Sequence, residues 1–156
     1  MGNGHPVAGV AANSEILNAF RKAFRYFNTF GGNPVSCAAA MAVLEVIRDE
    51  GLMQNADSVG QYAKAGLARL AEKHPVIGDV RGAGLFFGAE LVSDRSEKTP
   101  AADLATRVIN EMRERGVLMG KLGIHQCSTK IRPPMPFSKE NADLMLETLD
   151  DVLAGL

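Results

Sequence analysis

Val76-Ile77-Gly78-Asp79-Val80-Arg81-Gly82-Ala83-Gly84-Leu85-Phe86-Phe87-Gly88-Ala89-Glu90-Leu91-Val92 is the stretch on which the fold turns. Upstream of it apolar residues recur at helical spacing; inside it they alternate. Val76 to Val80 reads as one strand and Leu85 to Val92 as a second, with Gly82 and Gly84 at the turn. Strands joined by so tight a turn pair antiparallel. Leu85, Phe87, Ala89 and Leu91 share one face of the second strand. The other face, Phe86, Gly88, Glu90 and Val92, is also largely apolar, which predicts a central strand covered on both sides.

Working toward the N-terminus, residues 55–73 carry one apolar stripe, Val59, Ala63, Leu67, Leu70 and Ala71, opposite Lys64, Arg69, Glu72 and Lys73. Before it, Asn33 and Pro34 fit the cap and first position of a helix that runs to Asp49 and is closed by Gly51. Residues 35–44 are apolar almost all round, which predicts burial on several sides, between domains or at a subunit interface. Ser14 is expected to cap a short helix over residues 15–23, and residues 7–12 read as a short apolar strand. Gly2, Gly4 and Pro6 before that run suit the middle of an α/β domain, so the chain is expected to be a piece of a longer one.

Working toward the C-terminus, residues 94–98 form a charged loop, and Thr99-Pro100 is expected to start a helix with Leu104, Val108 and Met112 on one face. Residues 117–119 and 129–132 read as short strands around a 120–127 loop, and Ser138 caps a last helix carrying Ala142, Met145, Leu149 and Val152. Helices and antiparallel strands in this order predict an α+β fold.

Composition excludes several functions. Across 156 residues, 17 basic side chains face 18 acidic ones, with no basic stripe to suit nucleic acid. No apolar run approaches the ~18 residues of a membrane span. His5, His74 and His125 sit in unrelated contexts and Cys37 and Cys127 lie far apart, so neither a metal site nor a disulfide framework is expected. The cysteines suit a cytoplasmic protein. Cys37, Met41, Met112 and Met145 read as packing residues, and Arg81 as a local partner of Asp79. Arg81-Gly82-Ala83-Gly84 lacks the third glycine of a dinucleotide fingerprint.

Two stretches could carry chemistry. In Tyr26-Phe27-Asn28-Thr29-Phe30-Gly31-Gly32-Asn33-Pro34 a hydroxyl stands beside glycines and a helix start, which suits either a phosphate or simply a capped loop. In Lys130-Ile131-Arg132-Pro133-Pro134 two cations alternate onto one side of a strand, which suits either an anion or a solvated sheet edge.

These two stretches, together with Gly2-Asn3-Gly4-His5-Pro6-Val7-Ala8 and Gly78-Asp79-Val80-Arg81-Gly82-Ala83-Gly84-Leu85-Phe86, occur in an order that resembles the C-terminal part of class III pyridoxal-phosphate-dependent aminotransferases, over the whole chain. Gly-Asn-Gly-His-Pro and Lys-Ile-Arg-Pro-Pro-Met are most similar to the branch of ethanolamine-phosphate and phosphohydroxylysine phospho-lyases. The resemblance implies a fold-type I enzyme: residues 1–32 as the end of its large domain, 33–51 as a connecting helix, and 52–156 as its small α+β domain, an antiparallel sheet with packed helices. It implies that the Schiff-base lysine lies upstream of Met1, leaving no catalytic residue in this chain. It also implies a homodimer in which Thr29, beside Asn28, binds the cofactor phosphate of the neighbouring subunit. Lys130 stands where members that bind an α-carboxylate have arginine, with Arg132 two residues on. The implied activity is transfer of an amino group from an amine or amino acid to a keto acid. The alternatives are elimination of ammonia and phosphate from a phosphorylated amino alcohol, or, for these residues alone, a non-catalytic dimerisation and binding lobe.

Overall fold

A computed structural model describes residues 1–156, which divide into two compact units, Met1–Gly51 and Leu52–Leu156. The second unit holds the predicted hairpin. Strand β1 (Ile77–Ala83) and strand β2 (Phe86–Asp94) pair antiparallel from Ile77 opposite Leu91 to Ala83 opposite Phe86. Gly82 belongs to β1 rather than to the turn: it faces Phe87 at a φ of 142°, where an added Cβ would lie 2.3 Å from the Phe86 carbonyl oxygen. After β2 the chain folds back as β3 (Thr99–Pro100), whose residues pair with Asp94 and Val92. The expectation of a helix start at Thr99 fails for that reason. Helix α4 (Ala102–Glu114) begins three residues later, after Ala101, without a side-chain cap. Strand β4 (Gly120–Leu122) and strand β5 (Ser128–Lys130) form a second antiparallel pair. The apolar residues 117–119, expected to be this strand, precede it and pair with nothing. The sheet order is β1-β2-β5-β4, with β3 on the far part of β2.

Helix α3 (Leu52–Lys73), α4 and helix α5 (Lys139–Ala154) cover one face of this sheet. Val59, Ala63, Leu67 and Ala71 of α3 meet Ala142, Met145, Leu149 and Val152 of α5 and Val108 and Met112 of α4 in one core. Phe87, Ala89, Leu91 and Ile131 point into it from the strands. The Ser138 cap holds as expected, its Oγ accepting the Asn141 N–H at 3.3 Å. Close approach fixes the helix on the hairpin: a Cβ on Gly60 would lie 2.0 Å from the Gly84 carbonyl oxygen. Asp150 fastens α5 to the end of α3, accepting from Lys73 Nζ at 2.6 Å and meeting His74 Nε2 at 2.5 Å.

The β2–β5 seam is unusual. Backbone bonds join Phe87 to Ile131 in both directions and the Leu91 N–H to Cys127 O. Between them the Ala89 N–H goes to the Thr129 side chain, Oγ1, at 2.9 Å, and the same hydroxyl lies 3.2 Å from Ala89 O. The strands press together here, since a Cβ on Gly88 would sit 2.0 Å from Thr129 O.

The prediction of a β2 covered on both sides is corrected. Its core face is closed and it does lie inside the sheet, but Phe86 on the other face is exposed and Gly88 and Glu90 are half-buried. The three helices of the second unit pack against the core face.

The first unit is different in kind. Met1–Val7 makes a tight turn, and residues 6–13 have no regular structure, so the expected strand over residues 7–12 is absent. Helix α1 (Ser14–Ala23) follows; its cap is Asn13, whose Oδ1 accepts from the Ile16 N–H, and not Ser14. Helix α2 (Pro34–Asp49) has the expected Asn33 cap and Pro34 start. Its expected burial is not provided by this chain: Ala40 alone is buried, while Val35 is 70% exposed and Met41 56%. Cys37 is likewise exposed rather than packed, whereas Met112 and Met145 do lie in the core of the second unit.

Candidate functional site

The Tyr26–Pro34 stretch folds into two consecutive turns whose shape its asparagines set. Asn28 Oδ1 accepts the Phe30 N–H at 3.1 Å, and Asn28 O accepts the Gly31 N–H at 3.2 Å. Gly32 follows at a φ of 72°, a left-handed conformation that favours glycine. The Asn33 amide is then fully used. Its Oδ1 caps the Ser36 N–H, and its Nδ2 donates to Phe30 O at 2.8 Å and to Ser36 Oγ at 3.0 Å. Several N–H groups that could have met an anion are therefore spent on the turn itself. Asn28 is a turn former first, with its Nδ2 donating to the Tyr26 hydroxyl at 3.3 Å. Thr29 stands exposed at the outer corner. Its hydroxyl is the free polar group that the turn presents.

The other side of the turn faces a cleft of about 670 Å³ lined by His5, Pro6, Asn28, Gly32, Ser36 and Cys37 among others. Thr29 is not among the lining residues, so Asn28 and Thr29 look to different sides of the same turn. His5, for which the sequence showed no metal or histidine partner, has its Nε2 2.9 Å from Ser36 Oγ. The Gly2–His5 turn that carries it has Asn3 and Gly4 both at positive φ and is closed by the His5 N–H on Gly2 O at 3.1 Å. The sequence signal for it was the Asn-Gly pair, which favours such turns.

Lys130, the last residue of β5, and Arg132, two residues beyond it, lie in the other unit. Thr129 and Ile131 are buried on the core side, which turns Lys130 and Arg132 to the opposite face. The Arg132 guanidinium sits over the exposed Phe86 ring, 5.9 Å from its centroid. Lys130 is half-buried and opposite Gly120. No ion pair of the chain uses either one. Arg81, on the same face, is by contrast committed: it donates to Glu90 and, at 2.5 Å, to Asp79. Glu90 foremost, then Asp79, holds the Arg81 guanidinium above its ordinary pKa, so its charge is spent within the chain. The sequence foresaw the Asp79 contact and missed Glu90. Arg132 also lines a cleft of about 330 Å³ with Pro133, Pro134, Phe137 and Asn141; Lys130 does not. The loop behind it is held by Asn55, whose Nδ2 donates to Met135 O at 2.7 Å and Phe137 O at 3.0 Å, a contact across 80 residues that nothing in the sequence announced.

Comparison with known proteins follows the same lines. The family described as aminotransferase class III matches residues 1–153. An Arabidopsis thaliana protein named alanine–glyoxylate aminotransferase 2 homolog 2, mitochondrial, is 48% identical over 96% of this chain and 31% of its own length. A Caenorhabditis elegans ethanolamine-phosphate phospho-lyase homolog 1 is 42% identical over 98% of this chain and 33% of its own. The chain thus spans about a third of the length of these relatives. Among solved structures, a phospholyase from Arthrobacter in complex with phosphoethanolamine superposes with a TM-score of 0.93 at 44% identity, over 100% of this chain and 37% of its own. A PLP-bound amine transaminase from an uncultivated Pseudomonas species superposes with a TM-score of 0.81 at 33% identity, over 92% of this chain and 34% of its own. A turn offering one free hydroxyl, an α+β lobe with two uncommitted cations and a match from end to end converge on a single conclusion: the chain belongs to the class III aminotransferase family.

Proposed function

We propose that this chain is part of a pyridoxal-phosphate-dependent aminotransferase that moves an amino group from an amine or amino acid to a keto acid. The observation that carries this is the family match over residues 1–153, joined by the likeness to a PLP-bound amine transaminase. The turn fits the cofactor's phosphate through an exposed threonine hydroxyl on a backbone fixed by its own hydrogen bonds. Thr29 would hold that phosphate from across a dimer interface, with Asn28 shaping the turn. When bound, the cofactor supplies an electron sink for bond cleavage at the amine carbon. Lys130 and Arg132 would receive the negative group of the substrate, Lys130 as a point charge and Arg132 as a planar donor braced on Phe86. The working enzyme is a homodimer, and the cytoplasm is the compartment its two free cysteines suit.

Lys130 favours a second reading. A lysine cannot offer a carboxylate the bidentate fork of arginine. With two uncommitted cations two residues apart and a phosphoethanolamine-bound relative at TM-score 0.93, elimination of phosphate and ammonia from a phosphorylated amino alcohol is the competing activity. The full-length enzyme given phosphoethanolamine decides between them. Phosphate and ammonia released without a keto acid identify the lyase; strict dependence on a keto acid with no phosphate release identifies the aminotransferase.

A further inference from the structure

The contact between His5 and Ser36 is tied into a longer run of hydrogen bonds. Ser36 Oγ already accepts an N–H from Asn33 Nδ2 at 3.0 Å. That donor is assigned by its surroundings: Asn33 Oδ1 takes the Ser36 N–H, so the other end of the amide must be the NH₂ group, and its second hydrogen goes to Phe30 O. The Ser36 hydroxyl keeps its own proton and a second lone pair, and either can meet His5 Nε2, 2.9 Å away, according to the imidazole tautomer. The chain of hydrogen bonds runs from Asn33 through Ser36 to His5.

This chain joins two turns that lie 23 or more residues apart in sequence. One end is the Gly2–His5 turn, held by the His5 N–H on Gly2 O and leaving no room for a side chain at Gly2, where a Cβ would lie 2.4 Å from His5 O. The other end is Asn33, which receives the last residues of the Asn28–Gly32 turn through Phe30 O. Side-chain packing does little to hold these turns, since the one buried residue of the first unit is Ala40. Polar contacts are what orient them, and a net hydrogen bond of this kind is worth enough to shift an equilibrium several-fold.

We propose that His5 is a positioning residue: the hydrogen bond between its Nε2 and the Ser36 hydroxyl holds Asn33 and the Asn28–Gly32 turn in the conformation that presents Thr29 to an anionic oxygen. The inference rests on the reading that this turn takes the cofactor phosphate. His5 acts through Ser36 and Asn33 and does not touch the anion.

The test is the dissociation constant of pyridoxal phosphate from the full-length enzyme, measured by absorbance after removal and re-addition of cofactor, alongside the thermal midpoint of each cofactor-free variant. His5→Leu fills the space without a hydrogen-bonding group, Ser36→Ala removes the hydroxyl, and His5→Gln returns an amide that can donate or accept at nearly the same reach. Thr29→Ala serves as the reference for the reading itself. The expected result is a dissociation constant raised about five- to tenfold in H5L and S36A, with H5Q within about twofold of the parent and cofactor-free midpoints unchanged. If T29A weakens the cofactor while H5L and S36A bind it normally, the inference falls and the reading stands. If H5Q binds as poorly as H5L, packing rather than the hydrogen bond is responsible, and the inference falls as well. If T29A binds the cofactor as tightly as the parent, the reading falls and takes the inference with it.

Discussion

The two units of this chain solve the folding problem differently. Leu52–Leu156 closes a core of its own, in which Leu67, Ile77, Val108, Met112 and Leu149 are sealed from solvent. Met1–Gly51 spends just as apolar a sequence on surface: Phe27 is 86% exposed and Phe30 79%. Burial of a large side chain contributes roughly 1.5–3 kcal/mol, so the second unit carries its own stability and the first does not. Local order in the first unit comes from caps and turns, the Asn13, Asn28 and Asn33 side chains above all. An apolar helix is therefore a statement about the assembly a segment is destined for, and only sometimes about the chain that contains it.

This contrast can be broken at its strong end first. Leu67→Ala should cost about 3–4 kcal/mol, since the site is fully closed in the core that α3 shares with α5 and the hairpin. Denaturant unfolding of the full-length protein checks it, and a loss below ~1 kcal/mol would mean the second unit is not the rigid one. Asn55→Ala comes next, at about 2 kcal/mol, because it leaves two carbonyls behind α3 without their donor. Ser138→Ala should cost about 1 kcal/mol through the lost cap of α5.

Asp150 supplies a smaller effect tied to pH. Hydrogen bonds from Lys73 and then His74 hold its carboxyl below the ordinary 3.8. The folded pKa is the lower one, so this stabilisation is complete above about 3.8 and is lost as pH falls through the folded value. Asp150→Asn should accordingly be less stable than the parent near neutrality, the gap closing in acid; a gap that widens in acid contradicts the assignment. Phe27→Ser marks the weak end. With its ring in solvent, unfolding of this chain by itself should change by less than ~0.5 kcal/mol. A large loss there would erase the difference between the units.

Periodicity made the second unit largely readable. The stripe of α3, the Ser138 cap and the alternation of β2 are local signals of which tertiary structure needed only to choose the partner. What stayed illegible was register. Residues 117–119 are more apolar than 120–122, yet it is Gly120–Leu122 that finds Lys130 to Ser128 across the gap, and pairing is settled by the partner rather than by hydrophobicity. Thr99-Pro100 looked like a helix start because proline suits that position, but the charged loop before it returns the chain along Val92. At the candidate site the turn residues Asn28 to Pro34 were visible as a motif. The His5–Ser36 contact was not, since a meeting across 31 positions leaves no trace in either local pattern.

The seam between β2 and β5 has one further implication. Backbone hydrogen bonds are indifferent to which amino acid carries them, so evolution can rarely edit a sheet one bond at a time. Here the rung at Ala89 is supplied by a hydroxyl, and exchanging it for a methyl, as in Thr129→Val, would delete that rung while keeping the shape of the side chain. The junction between the two hairpins is thus written in the genetic code as well as in the peptide backbone, and its tightness is a trait that selection can adjust.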